Sequence, residues 1–140
     1  MKKIAIFIFL TLLVFSCNKN QSAVKKLDGE WNVTKFASSE NGVTTDLIGP
    51  NFAMKYKFDN CKLKDNEYCN FTTYTTVTIL GISLTTNTTD LYTVKNDGTV
   101  LEVKNDSITD TWNIKELTKK NLTVEQVKGN VTNHIEATKI

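Results

Sequence analysis

Three kinds of residue in this chain are of a type that could do chemistry: a histidine, two close cysteines and a carboxylate inside an apolar alternation. His134 is the sole histidine. It is out of phase with Val131, Ile135 and Ala137, which predicts an outward, solvated ring. No H-x-x-x-H pair, no Ser-His-Asp order and no glycine-rich phosphate loop accompanies it, so the positioned acids, bases and nucleophiles of an enzyme are not expected. Cys61 and Cys69 flank the charged stretch KLKDNEY. A redox or metal pair would want C-x-x-C spacing or histidines nearby; without these a structural disulfide is expected, and no metal and no cofactor. Closing so short a loop stabilises by about 2.5 kcal/mol in the chain-entropy model. Asp110 shares its phase with Ile108, Trp112 and Ile114. A lone carboxylate on that face is costly unless paired, so it is expected either at a barrel rim or bulge or as the polar anchor of a ligand pocket. Asn133 has the same ambiguity on the last strand.

The elements that must position these groups are strands. Apolar residues recur at period two almost throughout. Met54, Tyr56 and Phe58 alternate with Lys55 and Lys57. Phe71, Thr73, Thr75, Val77 and Ile79 share one face. Trp31 and Val33, Leu101 and Val103, and Leu122 and Val124 repeat the pattern. Turns at Asn96-Asp97-Gly98, Asn105-Asp106, Lys119-Lys120-Asn121 and Lys128-Gly129-Asn130 punctuate an antiparallel meander. Eight to ten strands are expected, all-β, closed into an up-and-down barrel because closure hides the edges. Helical turns are expected near Val24–Leu27 and within Ser38–Asn51. The stretch Ser38–Asn51 is expected as a long loop, with Leu47 and Ile48 shielding the barrel mouth. Trp31, Met54, Tyr56, Phe58 and Trp112 are expected inside, either as a packed core or, with Asp110, as the wall of a pocket for one small ligand.

The chain opens Met1-Lys2-Lys3, runs uncharged from Ile4 to Phe15, and reaches Ser16-Cys17 before turning polar at Asn18. A basic start, an apolar stretch and a small residue before the cut describe a secretory signal peptide over 1–16. The apolar run is about a dozen residues, short of the ~20 needed to span a bilayer. The cysteine at the cut resembles the lipobox of bacterial lipoproteins, which implies that Cys17 is acylated and tethers the mature chain to a membrane. The polar stretch from Cys17 to Lys26 is expected as a flexible tether to a single domain over 27–140. It carries no acidic cluster, which favours the periplasmic face of the outer membrane over the cell surface. An exported chain also sits in an oxidising compartment, where a cysteine pair bridges.

Of the formal net charge of +2, Lys2 and Lys3 account for all; the mature chain is charge-balanced. Arginine is absent from the sequence. Nucleic-acid binding, which needs a clustered basic face, is therefore not expected, and bidentate anion clamps are disfavoured.

Leu27-Asp28-Gly29-Glu30-Trp31 places Gly-x-Trp on the first strand. Later, Trp112-Asn113-Ile114-Lys115-Glu116-Leu117 precedes the hairpin residues Leu122-Thr123-Val124. In order and spacing these resemble lipocalins, and more closely the lipocalin-like lipoproteins common in Bacteroidota, over Leu27–Ile140. The resemblance implies a barrel that binds a small apolar or amphipathic ligand. It also implies a basic residue of the last strand over the first-strand tryptophan; Lys139 has the phase to stack on Trp31. The alternatives are a protein-interaction or inhibitor role, with Lys62–Tyr68 as its exposed loop, and a structural envelope component; both go with a filled barrel.

Overall fold

The period-two alternation becomes nine antiparallel strands in the computed structural model, which describes residues 18–63 and 67–140. The expected signal peptide and Cys17 lie outside the described residues. A helix, α1 (Lys19–Leu27), precedes β1 (Gly29–Glu40), β2 (Val43–Asp46), β3 (Phe52–Phe58), β4 (Cys69–Ile79), β5 (Ile82–Lys95), β6 (Val100–Lys104), β7 (Thr109–Leu117), β8 (Asn121–Lys128) and β9 (Val131–Lys139). From β3 to β9 each strand pairs with the next, and β1 joins β3 on one edge and β9 on the other. Eight strands thus close an up-and-down barrel. The ninth, β2, folds back on the upper part of β1, from Ala37↔Asp46 to Glu40↔Val43.

Two expectations are corrected. Asn18–Lys26 is not a flexible tether. Asn18 caps α1, its side-chain oxygen accepting from Gln21 N at 3.2 Å. Ala23, Val24 and Leu27 fall on one helical face and are buried against the barrel's end. Val24 and Leu27 are fully buried and contribute about 1.5–3 kcal/mol each, enough to hold a short helix that would fray alone. Lys25 and Lys26 in the last turn also suit the helix dipole. Polarity dominates this stretch, and three apolar positions at helical spacing decide its fate.

Ser38–Asn51 is neither a long loop nor the site of a helical turn. Asn41 and Gly42 both take positive φ, 51° and 82°, as a two-residue hairpin turn requires. Most of the segment is therefore the β1–β2 hairpin, and Ile48 packs on the core while Leu47 is exposed.

The plugged end of the barrel is filled. Trp31, Phe58, Phe71, Tyr92, Leu101 and Leu122 are almost wholly buried there beneath Val24 and Leu27. Trp31 Nε1 donates to Leu27 O at 2.6 Å, tying the first strand to the helix. Lys139 Nζ sits 5.4 Å from the Trp31 ring centroid, on the stacking partner its phase predicted. The Cys61–Cys69 disulfide is present, with a Cα–Cα distance of 5.7 Å. Gln21 stitches α1 to the segment that follows β3, donating to Cys61 O at 2.8 Å and accepting from Leu63 N at 2.7 Å.

Candidate functional site

The opposite end of the barrel is open and built differently. A bulge between Val33 and Lys35 shifts the register of β1 against β9, so that Phe36 faces Ile135 and Ser38 faces Asn133. Asn133 in turn pairs with Gln126, and Gln126 with Trp112. This row crosses four strands on the inward face. Asn133 Nδ2 donates to Gln126 Oε1 at 3.1 Å, and Gln126 is buried at 6% exposure. One step further out, Lys128 Nζ lies 2.8 Å from the Asp110 carboxylate. The predicted inward phase of Asp110 is thus realised, with a neighbouring cation meeting the charge. Asp110 is the polar wall of the open half, partly exposed, and neither buried alone nor in the core.

The facing wall is β4 and β5. Their inward pairs run Cys69↔Tyr92, Phe71↔Asp90, Thr73↔Thr88, Thr75↔Thr86, Val77↔Leu84 and Ile79↔Ile82. The lowest pair is apolar core. The next three levels present Asp90 and four threonines. The last two are aliphatic again, yet Ile79, Ile82 and Leu84 are 59%, 67% and 61% exposed. The β4–β5 hairpin therefore stands past the barrel as an arm with an apolar inner face. Its outer face is a hydroxyl ladder, with contacts Thr76–Thr85 at 2.8 Å, Thr78–Ser83 at 2.9 Å and Thr72–Thr89 at 3.1 Å. Such cross-strand pairs contribute roughly 0.2–1 kcal/mol each, and they hold the arm without a charged residue anywhere from Phe71 to Thr89. Beyond Leu91↔Lys104, β5 has no partner on its β6 side among the described residues. There a notch of about 650 Å³ opens, with Thr88, Asp90, Lys104 and Asp106 in its walls.

Tyr56 and Trp112 meet across the lumen, ring centroids 6.0 Å apart, and separate the filled core from the open half. Burial pushes the Tyr56 phenol well above its ordinary value. Trp112 is 9% exposed, and its Nε1 has no hydrogen-bond partner among the described residues. An unpaired buried donor costs about 1–3 kcal/mol, so this N–H stands out against Trp31, whose indole is satisfied.

The expected site residues divide accordingly. Met54, Tyr56, Asp110 and Trp112 border the open half. Trp31 and Phe58 belong to the packed core and line no opening. Apolar phase alone singles out neither Gln126, Lys128, Asp90 nor the inner threonines of β5, whereas Thr73 and Thr75 share the expected face of Phe71. Gln126 and Lys128 continue the phase of Leu122 and Val124, and Asp90 that of Tyr92 and Val94, so the signal was present. His134 is on the outer wall between Glu125 and Glu136, with nitrogen–oxygen distances of 3.6 and 3.0 Å. No group of three or more His, Cys, Asp or Glu placed to hold a metal occurs among the described residues.

Fold and interior together define a small, helix-plugged, up-and-down barrel with an apolar closed half and a polar open half. No protein-family model matches the chain, and no curated protein matches it either.

Proposed function

We propose that this chain is a lipid-anchored, lipocalin-like envelope protein whose barrel holds a small amphipathic ligand in its open half. The observation that carries the reading is the Trp112 indole N–H, a buried donor without a protein partner at the boundary between core and opening. A barrel serving structure alone would gain by closing this half with apolar side chains. Here the inward positions keep hydroxyls, amides and an ion pair.

The anchor is Cys17, and α1 starts two residues later. Acylation there would leave almost no slack, so the plugged end would face the membrane and the mouth would point away from it. In this reading the protein lies on the periplasmic face of the outer membrane. Cys17→Ala should release it from membranes into the soluble fraction; unchanged membrane association would contradict the anchor. For the ligand, native mass spectrometry of the unlipidated domain purified from its host should show a retained adduct, and clean apo protein would count against the barrel site.

A protein-interaction role is the second reading, favoured by Leu80. It is 97% exposed at the arm's tip and adopts φ of 51°, a backbone state leucine disfavours. An exposed, strained apolar residue suits a partner surface.

A further inference from the structure

We infer that the ligand is a neutral amphiphile with a hydroxylated head group, bound head first, its tail lying along the arm. This rests on the barrel-binding reading above and adds the head-group chemistry and the orientation.

The interior is layered apolar, polar, apolar from the plug outward. Core rings end at Tyr56 and Trp112. The belt above them holds the Gln126–Asn133 amide pair, the Asp110–Lys128 ion pair, Asp90 and inner threonines. Above the belt, Val77, Ile79, Ile82 and Leu84 form the arm's inner face. A ligand with its tail inward would put hydrocarbon on the belt and its head against aliphatic side chains. The reverse orientation matches each layer.

Charge selects the head. The ion pair is neutral as a unit, and Asp90 adds a carboxylate with no ion-pair partner among the described residues, so an anionic head would meet a negative belt. A quaternary cation would suit Asp90 but could accept nothing from Trp112 Nε1, a donor only. A hydroxylated head does both: its oxygen accepts from the indole and its hydroxyl donates to Asp90. The amide pair engages one donor and one acceptor with each other, leaving further groups of both kinds for a polyol.

The test uses three probes of one chain length on the unlipidated domain: 1-decanoylglycerol, decanoate and decyltrimethylammonium, each titrated below its micellar concentration by calorimetry. Decanoylglycerol should bind about tenfold or more tighter than either ion. Trp112→Phe should weaken it about fivefold, the loss of one hydrogen bond, with folding checked by circular dichroism. Asp90→Asn should raise decanoate affinity by removing the like charge and should weaken decanoylglycerol a few-fold, because the acceptor of its head hydroxyl is no longer ionised. Ile82→Asp should weaken decanoylglycerol about tenfold. Equal binding of all three probes, or decanoate binding best, overturns the head-group assignment while the barrel site stands. Unchanged affinity in Ile82→Asp overturns the orientation. Failure of every probe to bind overturns both this inference and the barrel-binding reading.

Discussion

The two tryptophans show how far one residue's surroundings decide its role. Trp31 was legible from the sequence: Gly-x-Trp on a first strand, and Lys139 in phase to cover it. Its indole bond to Leu27 O couples strand to helix. Trp31→Phe leaves that carbonyl unpaired and a void beside it, and should cost about 2–3 kcal/mol in chemical denaturation. Trp112 was legible as inward, but its orphaned N–H was not, because the absence of a partner depends on where three other strands place their side chains. Asp110 illustrates the same limit. Its phase was readable, whereas the lysine that meets it stands 18 positions away. Glu102 is held below the ordinary carboxyl value chiefly by its hydrogen bond from Lys95, with Tyr68 adding a second. A lowered folded pKa favours the ionised state in the native protein, so the stabilisation is present above about pH 4.5 and lost as pH falls through the lowered value. Glu102→Gln should therefore cost about 1 kcal/mol at neutral pH. That deficit should shrink in unfolding measurements as pH falls below about 4.5 and through the lowered value; a pH-independent deficit would contradict the assignment.

At the scale of elements, alternation sets the strands and short turn signals set where the chain reverses. Away from the bulges in β1 and β7 the long strands follow their period-two pattern, since side chains on a pleated sheet must take opposite faces. Asn41-Gly42, the strongest short hairpin signal there is, reverses the chain inside Ser38–Asn51, where length alone suggests a loop. Of the helix only its last turn, near Val24–Leu27, is legible, because its apolar positions are only three and the residues before them are polar. Leu27→Ala should cost about 2–5 kcal/mol by leaving a cavity under the plug, measured by thermal or denaturant unfolding. A cost near zero would mean that α1 is not docked in solution. At the arm's tip the opposite sign is expected. Leu80→Asn relieves a left-handed leucine that touches nothing, and should stabilise by about 0.5–1 kcal/mol, without altering the strand content seen by circular dichroism.

For the whole molecule, the class of fold follows from many short alternating segments with turns between them, and closure follows from the cost of bare edges. What alternation does not convey is the gradient along the barrel axis. Height in the barrel depends on register, and register depends on bulges such as that at Val33/Lys35, which no pattern in the sequence announces. The closed half concentrates the stability: plug, aromatic core and disulfide. The open half departs from apolar filling, as functional sites do. The most direct test of that division is the indole N–H region of a proton–nitrogen NMR spectrum, where Trp31 and Trp112 give the only two side-chain signals of their kind. On adding decanoylglycerol the Trp112 signal should move downfield as its N–H gains an acceptor, while the Trp31 signal, already bonded to Leu27 O, stays in place. Two unmoved signals, or a shift confined to Trp31, would contradict the account.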